Sequence, residues 1–272
     1  MKPLLEEIQH NKLLWLLAFV PVVFAAERLH HDAHTLLFVL SVLAIVPLAA
    51  LLSHATESVA AKTGDAVGGL LNATLGNLTE LVIALTALRA GQYVLVKASL
   101  AGAIVTNTLF MLGASLLLGG LKYHVQEYNR VSARMQAALL FLATVALLIP
   151  SAVSQADSVA VAAFTQKLSV GLSVLLIIAY ALGMLFSLKT HPELFAGAES
   201  AEAGEAPWPM GLALATLAAV TVLVALVSEV FVESVQKAAE AFGMSPAFVG
   251  FIVVALVGAA AEMASAFSGA RK

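Results

Sequence analysis

Along this chain, long apolar runs alternate with short polar stretches. A helix crossing the hydrocarbon core of a bilayer needs roughly 20 mostly apolar residues. Eight stretches are read as such spans: Leu13 to Ala26 (short, interrupted by Pro21), Thr35 to Ala61, Gly69 to Ala90, Val94 to Gly119, Arg134 to Val153, Leu168 to Leu188, Trp208 to Ala239 and Pro246 to Phe267. The pattern predicts an all-α polytopic membrane protein. The longest polar interruption, His191 to Pro209, carries Glu193, Glu199, Glu202 and Glu205 and reads as an acidic cytoplasmic linker. The divisions expected are an N-terminal helix and loop at 1–34, a first five-helix repeat at 35–190, a linker at 191–207 and a partial second repeat at 208–272.

Composition agrees with this class. Of 272 residues, 61% are hydrophobic and 11% charged, against about a quarter charged in soluble domains. The formal charge of −3 gives no reason to expect nucleic-acid binding. The absence of cysteine excludes disulfides, thiolate metal sites and cysteine nucleophiles. Lys and Arg set orientation. Lys2, Lys12, Lys62, Lys122, Arg130, Arg134, Lys189, Arg271 and Lys272 share the N-terminal side, and Arg28, Arg89, Lys97, Lys167 and Lys237 the other. Both termini are therefore expected in the cytoplasm. The N-terminus shows no removable signal peptide.

Two segments echo each other. Ser53, Glu57, Ser58 and Val59 precede Gly76-Asn-Leu-Thr-Glu80; Ser228, Glu229, Glu233, Ser234 and Val235 precede Gly258-Ala-Ala-Ala-Glu262. The copies begin at the second and seventh spans, so the repeat unit is five helices. An odd number inverts the second copy in the membrane, the mark of a transporter whose site lies where the repeats meet. A full second copy would need three helices beyond Lys272, so the chain reads as C-terminally truncated.

Glu80 lies inside an apolar helix, where an ionised carboxylate costs on the order of 3 kcal/mol. At 100° per residue, Asn72, Gly76, Asn77 and Glu80 share one face. Glycine packing explains the small residues there, but not a carboxylate with two amides. Glu262 follows Gly258 and Ala259 in a matching setting, and Asn107 stands in a stripe of small polar residues in the fourth span. Glu57 and Glu229 lie near helix ends, where a carboxylate can reach the interface. His30, His31 and His34 with Asp32 match no closed zinc pattern and read as a solvated loop. Oxygen ligands suit a hard cation such as calcium. Buried carboxylates can hold either that cation or protons, and exclusive occupancy is what exchange requires. No paired-histidine metal helix or serine nucleophile motif supports an enzyme.

Gly68 to Leu85 (GGLLNATLGNLTELVIAL) closely resembles the first signature repeat of the calcium/proton exchanger family, within the calcium/cation antiporter superfamily. His54 to Glu57, Ala98 to Asn107, Gly119 to Tyr123 and Val249 to Ala266 are also similar to that family. The resemblance implies two inverted five-helix repeats with one extra N-terminal helix, in a cell membrane of bacterial type, exporting cytosolic calcium against protons. It implies no cofactor; calcium and protons are the transported partners and the bilayer the setting. By motif position Glu80 and Glu262 would be the cation carboxylates, assisted by Asn77, with Glu57 and Glu229 along the access path. Ala259 and Met263 depart from the Asn and His usual in the second signature. The alternative is a truncated remnant, inactive or active only as a homo-oligomer that supplies the missing helices.

Overall fold

The computed structural model describes residues 2–153, 159–194 and 208–271, and all regular structure among them is helical. It divides into two compact units, Met1–Lys122 with Glu205–Lys272, and Tyr123–Gly204. The helices are α1 (Lys2–His10), α2 (Phe19–Leu29, after a 3-10 stretch Lys12–Ala18), α3 (His34–Ala60), α4 (Asp65–Leu75), α5 (Leu78–Arg89), α6 (Tyr93–Lys122), α7 (Arg130–Val153), α8 (Val159–Leu185), α9 (Met210–Ala241), α10 (Pro246–Gly258) and α11 (Ala260–Arg271).

Among the described residues, five helices are long and apolar enough to cross a bilayer, and seven spans result if α4–α5 and α10–α11 each count as one bent span. The sequence pattern predicts eight. The difference is Leu13 to Ala26, which is divided between the 3-10 stretch and α2. The linker predicted at 191–207 lies mostly outside the described residues.

The first unit is organised by α3 and α9, which run antiparallel along each other. At one end the Trp208 backbone N–H donates to Ser58 Oγ (3.2 Å) and the Trp208 ring lies 4.5 Å from that of His54. At the other end Lys237 Nζ lies 2.9 Å from His34 Nε2. Between them Phe38 stacks on Phe231 with centroids 5.5 Å apart. Ala44, Ala55, Ala213 and Ala238 are fully buried in this core, and small residues let membrane helices approach closely where no hydrophobic force draws them together. The remaining helices pack around this pair. Lys122 Nζ donates to the Arg271 carbonyl at the Trp208 end, and Gln92 Nε2 donates to the Val232 carbonyl (2.7 Å) toward the other.

In the second unit α7 packs along α8. Asn129 Oδ1 accepts from the N–H groups of Val131 and Ser132 and so caps α7, while its Nδ2 donates to the Leu194 carbonyl. Both helices turn large apolar side chains outward, among them Phe141 (72% exposed) and Ile177 (68%). Such surfaces suit contact with hydrocarbon rather than water.

Candidate cation site

Two of the spans are not straight rods. α4 ends at Leu75, Asn77 leaves helical geometry (φ −96°, ψ 20°), and α5 restarts at Leu78 with a 42° bend. α10 ends at Gly258, Ala259 turns (φ −78°, ψ 6°), and α11 restarts at Ala260 with a 57° bend. Glu80 and Glu262 are each the third residue of the restarting half-helix. The first turn of a helix offers unpaired N–H groups and the positive end of the dipole, which favours a carboxylate by about 0.3–1 kcal/mol and more when partly buried. The half-helices ending at the breaks present carbonyl oxygens without their usual donors.

Close packing brings the two breaks together. A Cβ built on Gly258 would lie 2.9 Å from Glu80 Cγ and 3.2 Å from its Oε1. Glu80 therefore rests on the α10–α11 break, four residues before Glu262. Both are half-buried. Glu80 Oε2 finds no hydrogen-bond partner among the described residues.

The crossing of α6 with α10 is equally tight. A Cβ on Gly102 would lie 2.1 Å from the Phe251 carbonyl oxygen, and one on Gly250 2.8 Å from the Leu95 carbonyl oxygen. Each helix has a π-helical segment near this crossing, Thr106–Met111 in α6 and Val249–Val254 in α10. Such bulges reorient carbonyls and side chains and occur often at functional sites. Asn107 lies within the first, and its buried Oδ1 has no hydrogen-bond partner among the described residues. The same segment packs against α11, with the Phe110 and Phe267 rings edge to face.

The other predicted residues divide. Asn72 is half-buried on α4, one turn before the break. Asn77 sits at the break, but its amide is exposed and donates back to the Ala73 carbonyl (3.3 Å) rather than capping α5. Glu57 is half-buried on α3 and accepts from Ser53 Oγ (3.1 Å). Glu229 is exposed on α9. Among the described residues no group of three or more His, Cys, Asp or Glu gathers as a metal cage, so a cation held here would draw on amide and backbone oxygens beside the two carboxylates.

The sequence pattern does not reveal the breaks or the π-helical segments. Nor does it show that His31 and His34 line a cavity of about 210 Å³ with Glu27, Glu233, Ser234 and Lys237. The helices contributing these residues lie far apart in sequence, so no local motif marks the cavity.

Paired discontinuous helices, each with a carboxylate in the first turn after its break, are a recurring feature of membrane secondary transporters. Residues 33–189 and 212–272 match the sodium/calcium exchanger protein family, and the chain belongs to it. It is 38% identical over 271 residues to a Ca²⁺/H⁺ antiporter of Aphanothece halophytica, covering 94% of this chain and 72% of that protein. It is 38% identical over 262 residues to the Ca²⁺/H⁺ antiporter ChaA of Bacillus subtilis, covering 94% and 74%. A solved structure of the Ca²⁺/H⁺ antiporter protein YfkE superposes with a TM-score of 0.76 at 35% identity, covering 95% of this chain and 72% of that one.

Proposed function

We propose that the protein exchanges calcium for protons, exporting cytosolic calcium from a bacterial cell whose inner membrane it spans with both termini in the cytoplasm. The observation that carries this reading is the seating of Glu80 on Gly258, which joins two half-helix N-termini and their carboxylates in one place. Glu80 and Glu262 bind calcium when ionised and are neutralised by protons when calcium leaves. A hard cation takes six to eight oxygens. Asn107 Oδ1, Asn72 and carbonyls at the breaks complete the set, and the exposed amide of Asn77 contributes less. Glu57 and Glu229 lie along the access path, on helices that run in opposite directions. The transporter nature of the relatives speaks for a non-enzymatic role.

The test is proton-gradient-driven radiocalcium uptake into everted membrane vesicles, comparing the wild type with Glu80→Gln. Uptake that needs both the gradient and Glu80 supports exchange. Uptake unaffected by the substitution, or independent of the gradient, overturns it.

A further inference from the structure

We propose that the second unit holds one anionic phospholipid, with an acyl chain in the groove between α7 and α8 and the phosphate between Arg134 and Lys189. The proposal goes beyond the exchange reading and does not depend on it.

The groove has a volume of about 480 Å³ and an almost wholly apolar wall. Met135 and Leu139 of α7 line it, with Ala179, Leu182 and Leu185 of α8. It continues along the π-helical stretch Phe186–Thr190 that extends α8. From Ala179 to Thr190 the helix rises about 16 Å. That is close to half of the roughly 30 Å hydrocarbon core, the depth an acyl chain reaches in one leaflet.

One end of the groove is polar. There Thr190 Oγ1 donates to the Phe186 carbonyl (3.1 Å), and the His191 ring stacks on Phe186 with centroids 4.3 Å apart. The bond from Asn129 to the Leu194 carbonyl sets the start of α7 at this same end. The helices are antiparallel neighbours, and their packing fixes which way each face turns. A Cβ on Gly183 would lie 3.1 Å from Leu139 Cδ1, so Gly183 faces α7 and Leu139 faces α8. At 100° per residue, Arg134 and Lys189 then fall on the side of the pair that carries Met135 and Leu182, whereas Gln136 and Tyr180 fall on the opposite side. The two cations therefore flank the polar end of the groove, one on each helix.

Basic residues at helix ends follow from membrane topology alone. Two further observations single out this pair. Both side chains are exposed, and neither forms an ion pair among the described residues. The carboxylates nearest in sequence, Glu127 and Glu193, precede and follow the groove helices and line no part of it. A guanidinium offers a phosphate two parallel hydrogen bonds, and an ammonium adds a point charge. Both stems can lie along apolar surface while the charged heads reach the interface. A zwitterionic headgroup brings its own cation to the same place and loses much of this attraction, so the charge pattern selects an anionic lipid.

The test places the whole protein in nanodiscs of mixed phosphatidylcholine and phosphatidylglycerol, with a photoactivatable diazirine on the acyl chain of one lipid or the other. Labelling of Met135, Leu139 and Leu182 is read by peptide mass spectrometry, per mole of each lipid. Each basic side chain near an anionic headgroup contributes about fivefold, so phosphatidylglycerol should label the groove about twentyfold more than phosphatidylcholine. Arg134→Gln together with Lys189→Gln should bring the two lipids to parity. Lys167→Gln, toward the other end of α8, should leave the preference unchanged. Ala179→Trp fills the groove without touching either cation and should lower labelling by both lipids. Equal labelling in the wild type, a preference that survives the double substitution, or labelling unchanged by Ala179→Trp overturns the proposal. So does loss of labelling on adding millimolar inorganic phosphate, which would make this a site for free phosphate. A groove that stays unlabelled while crosslinking to a second copy of the chain also overturns it. Should the double variant not fold, the wild type alone decides: high salt must reduce the preference for phosphatidylglycerol and leave labelling by phosphatidylcholine as it was.

Discussion

Gly258→Ala tests the contact on which the site depends. The added Cβ would lie 2.9 Å from Glu80 Cγ, 3.2 Å from Oε1 and 3.4 Å from Cδ. Carbon atoms pack at about 3.5–4.0 Å, so the Glu80 side chain must withdraw by about 0.6–1 Å. It can do so by rotation, with no backbone in the way, and the stability cost falls at the low end of the about 1–3 kcal/mol typical of overpacking. A binding group displaced by about 1 Å can cost about 100-fold in rate. The expected outcome is a folded protein whose proton-driven calcium uptake falls roughly ten- to hundredfold. Gly102→Ala is the contrast. Its Cβ would lie 2.1 Å from the Phe251 carbonyl oxygen and 2.7 Å from the carbonyl carbon. No side chain can give way there, so α6 and α10 must part, at or beyond the upper end of the same range. Size-exclusion profiles and thermal unfolding in detergent measure folding, and radiocalcium uptake in vesicles measures transport. Wild-type uptake by Gly258→Ala, or a Gly102→Ala protein as stable as Gly258→Ala, would refute the reasoning.

Asn107→Leu should weaken apparent calcium affinity about tenfold, since an unpartnered buried oxygen is lost, whereas Asn77→Ala should change it less than about threefold; the calcium dependence of uptake reads both. Lys122→Met removes an exposed donor to the Arg271 carbonyl, so unfolding should shift by no more than about 1 kcal/mol, with exchange retained. Trp208→Ala empties a buried site beside His54 and should cost about 3–5 kcal/mol, seen as a fall in melting temperature and in yield of folded protein.

The class is legible in the sequence because a membrane makes charge conspicuous: Glu80 and Glu262 interrupt apolar helices, and the structure places Glu80 against Gly258, four residues before Glu262. The breaks beside them are not legible. Asn77 and Ala259 are ordinary helix residues, and Ala259 has the highest helix propensity of all. The turns arise from how the half-helices pack, and propensity yields to packing. Asn77 is exposed at the break and donates back to the Ala73 carbonyl, which a continuous helix read from the sequence does not show. His31 and His34 read locally as solvated loop residues, and His31 is exposed in the structure; their neighbours Glu233 and Lys237 come from the far end of α9, which no local pattern reveals.

The resting place of Glu80 also has a timetable. Gly258 is made only after α6 through α9 have been synthesised. At about 5–20 residues per second, Glu80 spends roughly ten seconds to half a minute in a nascent chain that has no second break to receive it. A carboxylate facing lipid during that interval would carry the full cost of intramembrane charge. The bent span of α4 and α5 must therefore keep Glu80 hydrated or protonated within the insertion machinery until the later half-helix arrives. Glu80→Gln, by removing that burden, should speed membrane integration, so the residue proposed to carry exchange is also expected to slow biogenesis.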